Sequence, residues 1–143
     1  MDIRSLDNAW ALTLSVTDTE TEHLPSVGIS IALDGEFSAK NPDAWYEYDA
    51  IIGFVAALRR VEKSRTGNAS LDSMSPGECS IRIECVGGEG SILLHINMYR
   101  ITYFSDAAGH AKNTVSVTFE VNREFLHRII SDFSELAAIC CPS

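Results

Sequence analysis

Alternation of apolar and polar residues marks five strands along the chain. In WALTLSVTD, the apolar residues Trp10, Leu12, Leu14 and Val16 share one face, while small and polar residues occupy the other. The same alternation recurs in SVGISIALD, CSIRIEC, SILLHINMY and TVSVTFEV. Strands with one apolar and one polar face are typical of an antiparallel sheet that packs on one side and faces water on the other.

A sixth strand is predicted near WYEYD. The preceding residues, Asn41-Pro42-Asp43, have the composition of a turn. We therefore expect residues 45–48 to pair back on a strand that ends near Phe37.

Two segments follow the 3.6-residue spacing of amphipathic helices. The first is predicted to begin with Asp49 as its N-cap and to run through Ser64, with Gly53 allowing close packing on the sheet. The second is predicted to begin with Asn122 as its N-cap and to run to about Ala138. Its expected buried stripe consists of Leu126, Ile129, Ile130, Phe133 and Leu136.

The predicted element order is β-β-β-α-β-β-β-α, with no internal repeat. Residues 64–78 and 105–113 lack periodicity and are expected to be loops. An apolar sheet face must be covered, and only the two helices can cover it. The sequence therefore predicts one α+β domain over residues 1–143, with two layers: an antiparallel sheet of five to six strands and two helices on one face.

The glycine-rich stretch GGEG, residues 87–90, raises the question of a phosphate-binding loop. Such a loop is followed by a helix, and in its best-known form by Gly-Lys-Ser/Thr. Here alternating residues lie on both sides, and Glu89 has the wrong charge for a phosphate. We interpret the glycines as the turn of a β-hairpin, where they supply positive φ angles.

Composition narrows the function classes. The 143 residues are 45% hydrophobic, which suits one domain with one core, and the formal net charge is −9. An acidic surface repels phosphate backbones and attracts basic partners, so no nucleic-acid binding is expected. The first ten residues, MDIRSLDNAW, lack a secretory signal, and no apolar run approaches the ~20 residues that span a bilayer. We expect a cytoplasmic protein with no membrane association.

No catalytic, metal-binding or cofactor motif is found in the sequence. The four cysteines, Cys79, Cys85, Cys140 and Cys141, are expected to be free thiols in a reducing compartment. His95 lies on the polar side of a predicted strand, opposite Arg82 and Glu84. A catalytic His–Glu pair is one interpretation there, and a solvated cross-strand cluster is the favoured one.

Aromatic residues next to acids give the best candidate for a binding site. Asp43, Trp45, Glu47 and Asp49 lie close together in sequence, beside Tyr46 and Tyr48. A second aromatic group, Tyr99, Tyr103 and Phe104, precedes a predicted loop. Core packing accounts for most of these aromatic residues. The remainder is the composition expected where a basic protein docks.

A family resemblance adds a function. A strand pair is followed by DAIIGFVAALRRVE, a polar linker with NASLDSM, the hairpin CSIRIECVGGEGSILLHINM, and finally VSVTFEVNREFLHRIISDFSELA. From Val27 to Ala138, this layout resembles bacterial immunity proteins of the WapI type and neighbouring uncharacterised small α+β families. The resemblance implies a non-catalytic protein that neutralises a toxin, often a basic nuclease, by covering it.

Two other function classes remain open at this stage. One is a homo-oligomeric structural module that would pair through a sheet edge or through the Ser/Thr-rich sheet face. The other is a small-molecule enzyme, in which His95 would take part.

Overall fold

The computed structural model of the chain describes residues 1–106 and 108–140. The first half of this range contains β1 (Asp2–Arg4), β2 (Ala11–Glu20), β3 (Ser26–Asp34), β4 (Ser38–Glu47) and α1 (Tyr48–Ser64). The second half contains β5 (Gly67–Asp72), β6 (Cys79–Val86), β7 (Ser91–Tyr103), β8 (His110–Val121) and α2 (Arg123–Cys140). The predicted α+β class is confirmed, and the second half repeats the element order of the first.

The strands form two sheets, so the prediction of one sheet with five to six strands is wrong. In the described residues each sheet has four antiparallel strands in chain order, β1-β2-β3-β4 in the first sheet and β5-β6-β7-β8 in the second. β1 was not predicted from the sequence, and β5 lies within the segment 64–78 that was predicted to be a loop. Both strands bury few apolar side chains, Ile3 in β1 and Ala69 and Leu71 in β5, so their alternation is too short to read.

Both sheets and both helices contribute to one hydrophobic core. The predicted stripe of α2 is buried in full, from Leu126 to Leu136. Phe133 from this stripe meets Phe54 of α1 edge to face, with ring centroids 5.1 Å apart. The two helices therefore pack against each other as well as against the sheets.

Hydrogen bonds join the two sheets at both sides. Just after β1, the N–H of Leu6 donates to the carbonyl of Glu120 in β8, at 2.8 Å. At the opposite side, the N–H of Met74 donates to the carbonyl of Trp45 in β4, also at 2.8 Å. The edge strands of one sheet are thus held against elements of the other.

The two predicted helix starts have different outcomes. Asn122 is confirmed as a cap, because its Oδ1 accepts a hydrogen bond from the N–H of Glu124 at 3.0 Å. Asp49 is not a cap, since α1 begins at Tyr48 and the capping position belongs to Glu47. The expected packing of Gly53 on the sheet is also wrong, because this glycine is exposed and an added Cβ would meet nothing within 4 Å.

The predicted turn at Asn41-Pro42-Asp43 lies inside β4. Ile29 of β3 pairs with Ala44 and Ile31 pairs with Asn41, so Pro42 and Asp43 form a bulge without partners in the register. Proline has no N–H to donate and is tolerated at such bulges on an edge strand. The Oδ1 of Asn41 accepts a hydrogen bond from the N–H of Asp43 at 3.0 Å. Asparagine makes the same local bond in turns, which is why the composition of this segment predicts one.

The GGEG hairpin is confirmed between β6 and β7, where Val86 pairs with Ser91. Gly87 and Gly90 have φ angles of 75° and 71°. The guanidinium of Arg123, at the start of α2, donates to the carbonyl of Gly90 at 3.0 Å. The turn is therefore fastened to the second helix rather than open to a ligand.

Candidate partner-binding surface

Strand β4 presents the candidate residues on its outer face. Ala44 and Tyr46 are fully buried on the core side, while Asp43 and Glu47 are exposed and Trp45 is half-buried. The period of two along a strand places Asp43, Trp45 and Glu47 on the side that faces away from the core. Three of the four predicted residues thus share one face.

The indole of Trp45 lies over Gly28, the residue that pairs with it in β3. Gly28 pairs with Trp45 on one side and with Asp18 on the other. A Cβ added at Gly28 would lie 3.2 Å from the Trp45 ring and 3.0 Å from the Oγ1 of Thr17. These distances are shorter than a Cβ normally makes. The absence of a side chain at Gly28 therefore lets the Trp45 ring pack on the backbone of β3.

The register adds two acids from the end of β2. Asp18 shares the row of Trp45 through Gly28, and Glu20 shares the row of Glu47 through Ser26. Residues directly opposite in neighbouring strands point to the same face, and two strand spacings amount to about 10 Å. We call this surface, together with Asp49 in the first turn of α1, the acidic face; it consists of Asp18, Glu20, Asp43, Trp45, Glu47 and Asp49.

Only the strand pairing places Asp18 and Glu20 on the acidic face. Apolar alternation stops at Val16, so the sequence alone does not place the acids of DTETE, residues 18–22, on a strand. The register shifts between Val16 and Asp18, which leaves Thr17 as a bulge. The strand continues beyond the bulge to Glu20, and its period is reset there.

The Glu20 carboxylate is held by the hairpin loop. Its Oε1 accepts from the N–H of Glu22 at 2.8 Å and from the N–H of His23 at 3.3 Å. These two backbone bonds lower the pKa of Glu20 below its ordinary value. Glu20 therefore keeps a fixed negative charge at the edge of the acidic face.

Glu47 and Asp49 lie where β4 passes into α1. Glu47 occupies the capping position with no side-chain bond to the helix, and its carboxylate is exposed. Asp49 lies in the first turn, where the partial positive charge of the helix N-terminus stabilises a carboxylate. The N–H of Tyr48 donates to the carbonyl of Pro25 at 2.8 Å, which fixes this junction against the loop between β2 and β3.

His95 belongs to a cross-strand ladder on the outer face of the second sheet. Its Nε2 lies 2.9 Å from the Oε1 of Glu84, and its Nδ1 lies 2.8 Å from the Oγ1 of Thr118. Arg82 lies 3.8 Å from the other oxygen of Glu84. The three strands β6, β7 and β8 each contribute a member, so the predicted polar cluster is present and its polar atoms satisfy one another.

The structure adds two findings on other kinds of site. Among the described residues, no group of three or more His, Cys, Asp and Glu side chains is placed to hold a metal ion. Neither helix, over the residues described, combines the length and apolar composition that a membrane crossing requires.

Of the four cysteines, the structure describes the thiols of two. Cys79 and Cys85 are free thiols, the first buried and the second partly exposed. Cys141 lies outside the described residues, as does the side chain of Cys140, so free thiols at these two positions stay a prediction.

Comparison of the chain with protein-family models, with curated proteins and with solved structures finds no match.

Proposed function

We propose that this chain is a non-catalytic binding protein that docks a basic protein partner on its acidic face. The observation that carries the proposal is the half-buried Trp45, seated on Gly28 and flanked in register by Asp18, Glu20 and Glu47. This role is the one implied by the resemblance to WapI-type immunity proteins, with a basic toxin as the partner and the cytoplasm as the place of action.

The arrangement matches the energetics of protein interfaces. A tryptophan that is already fixed against a sheet can be desolvated by a partner with little loss of conformational freedom. Carboxylates around it attract a cationic surface and accelerate association, while the same charges repel nucleic acids. The chain has 20 acidic and 11 basic residues, so its whole field favours a basic partner.

The test captures partners from a lysate of the source organism and then measures affinity with the protein that is captured. In the first variant, Asp43→Asn, Glu47→Gln and Asp49→Asn remove three of the five carboxylates of the acidic face. In the matched control, Glu89→Gln, Glu124→Gln and Glu135→Gln remove the same charge from exposed positions elsewhere. We expect the face variant to weaken binding by at least about tenfold and the control by less than about threefold, since only close charges contribute strongly.

Trp45→Ala provides a second, uncharged test of the same surface. Loss of an anchoring tryptophan at an interface typically costs about 2 kcal/mol or more, roughly a thirtyfold loss of affinity. Trp10→Ala is its control, because Trp10 lies on the same sheet, packed edge to face on Phe37 with ring centroids 5.1 Å apart. Equal affinity of the wild type, the face variant and Trp45→Ala for a captured partner would refute the acidic face as its docking site.

A further inference from the structure

The hairpin of β7 and β8 extends past the rest of the second sheet. β6 pairs with β7 only as far as Met98, opposite Cys79. β7 and β8 remain paired beyond this point, from Tyr99 opposite Thr114 to Tyr103 opposite His110. We call residues 99–106 and 108–114 the arm; its strands have no further strand beside them among the described residues.

One edge of the arm presents backbone groups in position to accept another strand. The N–H of Tyr99 donates to the carbonyl of Glu78 at 3.0 Å, so it points toward the β6 side. Backbone groups of alternate residues in a strand point to the same side. The N–H and C=O groups of Ile101 and Tyr103 therefore point to the same side as those of Tyr99, beyond the end of β6.

Three of the exposed side chains on this part of the strand are apolar or aromatic. Tyr103 is 77% exposed, Phe104 is 52% exposed and Ile101 is 36% exposed. The ring of Tyr103 is accompanied by His110 on the paired strand, with centroids 6.0 Å apart. An apolar strand edge of this type is normally covered by a partner or blocked.

A cleft of about 600 Å³ separates the arm from β4 and leaves room at this edge. Its walls include Lys40 and Pro42 on one side and Arg100 and Ile101 on the other, with Glu78 between them. Pro42 has no N–H, and the bulge interrupts the β4 edge, so β4 is a poor template for pairing. Of these two walls, the arm is the better template for an incoming strand.

We propose that the arm pairs with the arm of a second copy of this chain, through an antiparallel contact between the two β7 strands. Two-fold symmetry makes such an edge self-complementary: Ile101 of each copy exchanges backbone hydrogen bonds with Tyr103 of the other. Arg100 then lies opposite Phe104 of the second copy, where a cation can contact the aromatic ring.

Charge favours a second copy as the occupant, and the buried area predicts how tightly it binds. The arm has Arg100 and Lys112 against one acid, Asp106, whereas the chain as a whole has a formal charge of −9. It is thus a part of the surface where two copies approach without the repulsion between acidic surfaces. Covering Tyr103 and Phe104 in both copies buries on the order of 600 Å², below the ~1,200 Å² of stable complexes, which predicts a weak dimer.

The experiment is sedimentation velocity over a protein concentration range from about 10 µM to about 1 mM, where weak dimers form. Ile101→Pro removes an edge N–H without touching the bonds to β8, and Ile101→Val is its matched control because it keeps the N–H and an apolar side chain. Tyr103→Lys blocks the edge with a charge. Far-UV circular dichroism checks that each variant is folded.

We expect the average mass of wild type and Ile101→Val to rise toward twice the monomer value, while Ile101→Pro and Tyr103→Lys stay monomeric. Raising salt from about 50 mM to about 500 mM should strengthen the dimer, because it screens the repulsion between two acidic chains. Salt should weaken the docking of a basic partner on the acidic face. The two proposals therefore predict opposite effects of salt, and either one can fail while the other holds. A monomeric wild type at all concentrations, or undiminished dimers in the folded blocking variants, would overturn the proposal.

Discussion

The hydroxyl of Tyr46 donates a hydrogen bond to the backbone carbonyl of Cys79 at 2.9 Å. Tyr46 belongs to the last strand of the first sheet and Cys79 to the second strand of the other, and both residues are fully buried. Burial raises the pKa of Tyr46, so the hydroxyl keeps its proton and remains a donor over the whole working range of pH. This bond connects the two sheets through the core.

Tyr46→Phe removes this donor and leaves a buried carbonyl without it. We expect the free energy of unfolding to fall by about 1–3 kcal/mol, the usual cost of an unsatisfied buried acceptor. Urea unfolding followed by circular dichroism measures the change. Tyr99→Phe is the control, because the hydroxyl of Tyr99 lies 3.5 Å from the carbonyl of Pro76 and contributes little. Equal stability of Tyr46→Phe and wild type would contradict this role.

Gly28→Ala should displace the indole of Trp45 from the sheet. The added methyl group would lie 3.2 Å from the ring and 3.0 Å from Thr17, so the fold loses about 1–3 kcal/mol as neighbours shift. In a Trp10→Phe background, the emission of Trp45 should move to longer wavelength as the ring meets water. Gly53→Ala should instead stabilise by up to about 1 kcal/mol, because that glycine is exposed within a helix. Unchanged Trp45 emission in Gly28→Ala would show that the ring does not rest on this residue.

The described cysteines should react at very different rates. Cys79 is fully buried, and burial raises the pKa of its thiol to about 11, so almost no thiolate is present at neutral pH. The Cys85 thiol is partly exposed and donates to the carbonyl of Arg65 at 2.9 Å. Alkylation of the native protein followed by peptide mass spectrometry should find Cys85 modified well before Cys79. In denaturant the two rates should converge, and a fast native reaction at Cys79 would count against its burial.

The carboxylate of Glu20 should make the β2–β3 loop sensitive to acid. Its pKa is lowered in the folded state by the N–H groups of Glu22 and His23. A group with a lowered pKa stabilises the fold above its unfolded pKa, near 4.5, and this contribution is lost as the pH falls through the folded value. Glu20→Gln should therefore lower the melting temperature near neutral pH, and this difference should disappear once the pH has fallen below the folded pKa. A difference that persists in acid would assign the effect to something other than charge.

Local patterns predicted the well-formed elements. Strands β3 and β6 alternate over their whole lengths and β7 alternates as far as Met98, while the second helix has both its cap at Asn122 and its buried stripe. Each of these signals lies within a few neighbouring residues. The arrangement of the strands in two sheets depends on how residues far apart in the chain meet. The bond between Leu6 and Glu120, which joins the sheets, is one such contact and leaves no local pattern in the sequence.

The acidic face was accessible to sequence reasoning only in part. Asp43, Trp45 and Glu47 alternate along one strand, so their common face follows from the period of two. Asp18 and Glu20 join them through pairing across β3, and the bulge at Thr17 shifts that pairing by one residue. A cross-strand register with a bulge depends on packing over the whole sheet, so the sequence of β2 alone does not specify it.

The bond between Leu6 and Glu120 has a consequence for the order of events during synthesis. The ribosome releases the first sheet long before β8. The N–H of Leu6, just after β1, can bond to its acceptor only when residue 120 has emerged. Until then, apolar side chains such as Leu12 and Ile31 lack the second half of the core that covers them. The nascent chain therefore completes this fold only after residue 120 has been made, and the earlier interval is when it most needs protection by a chaperone.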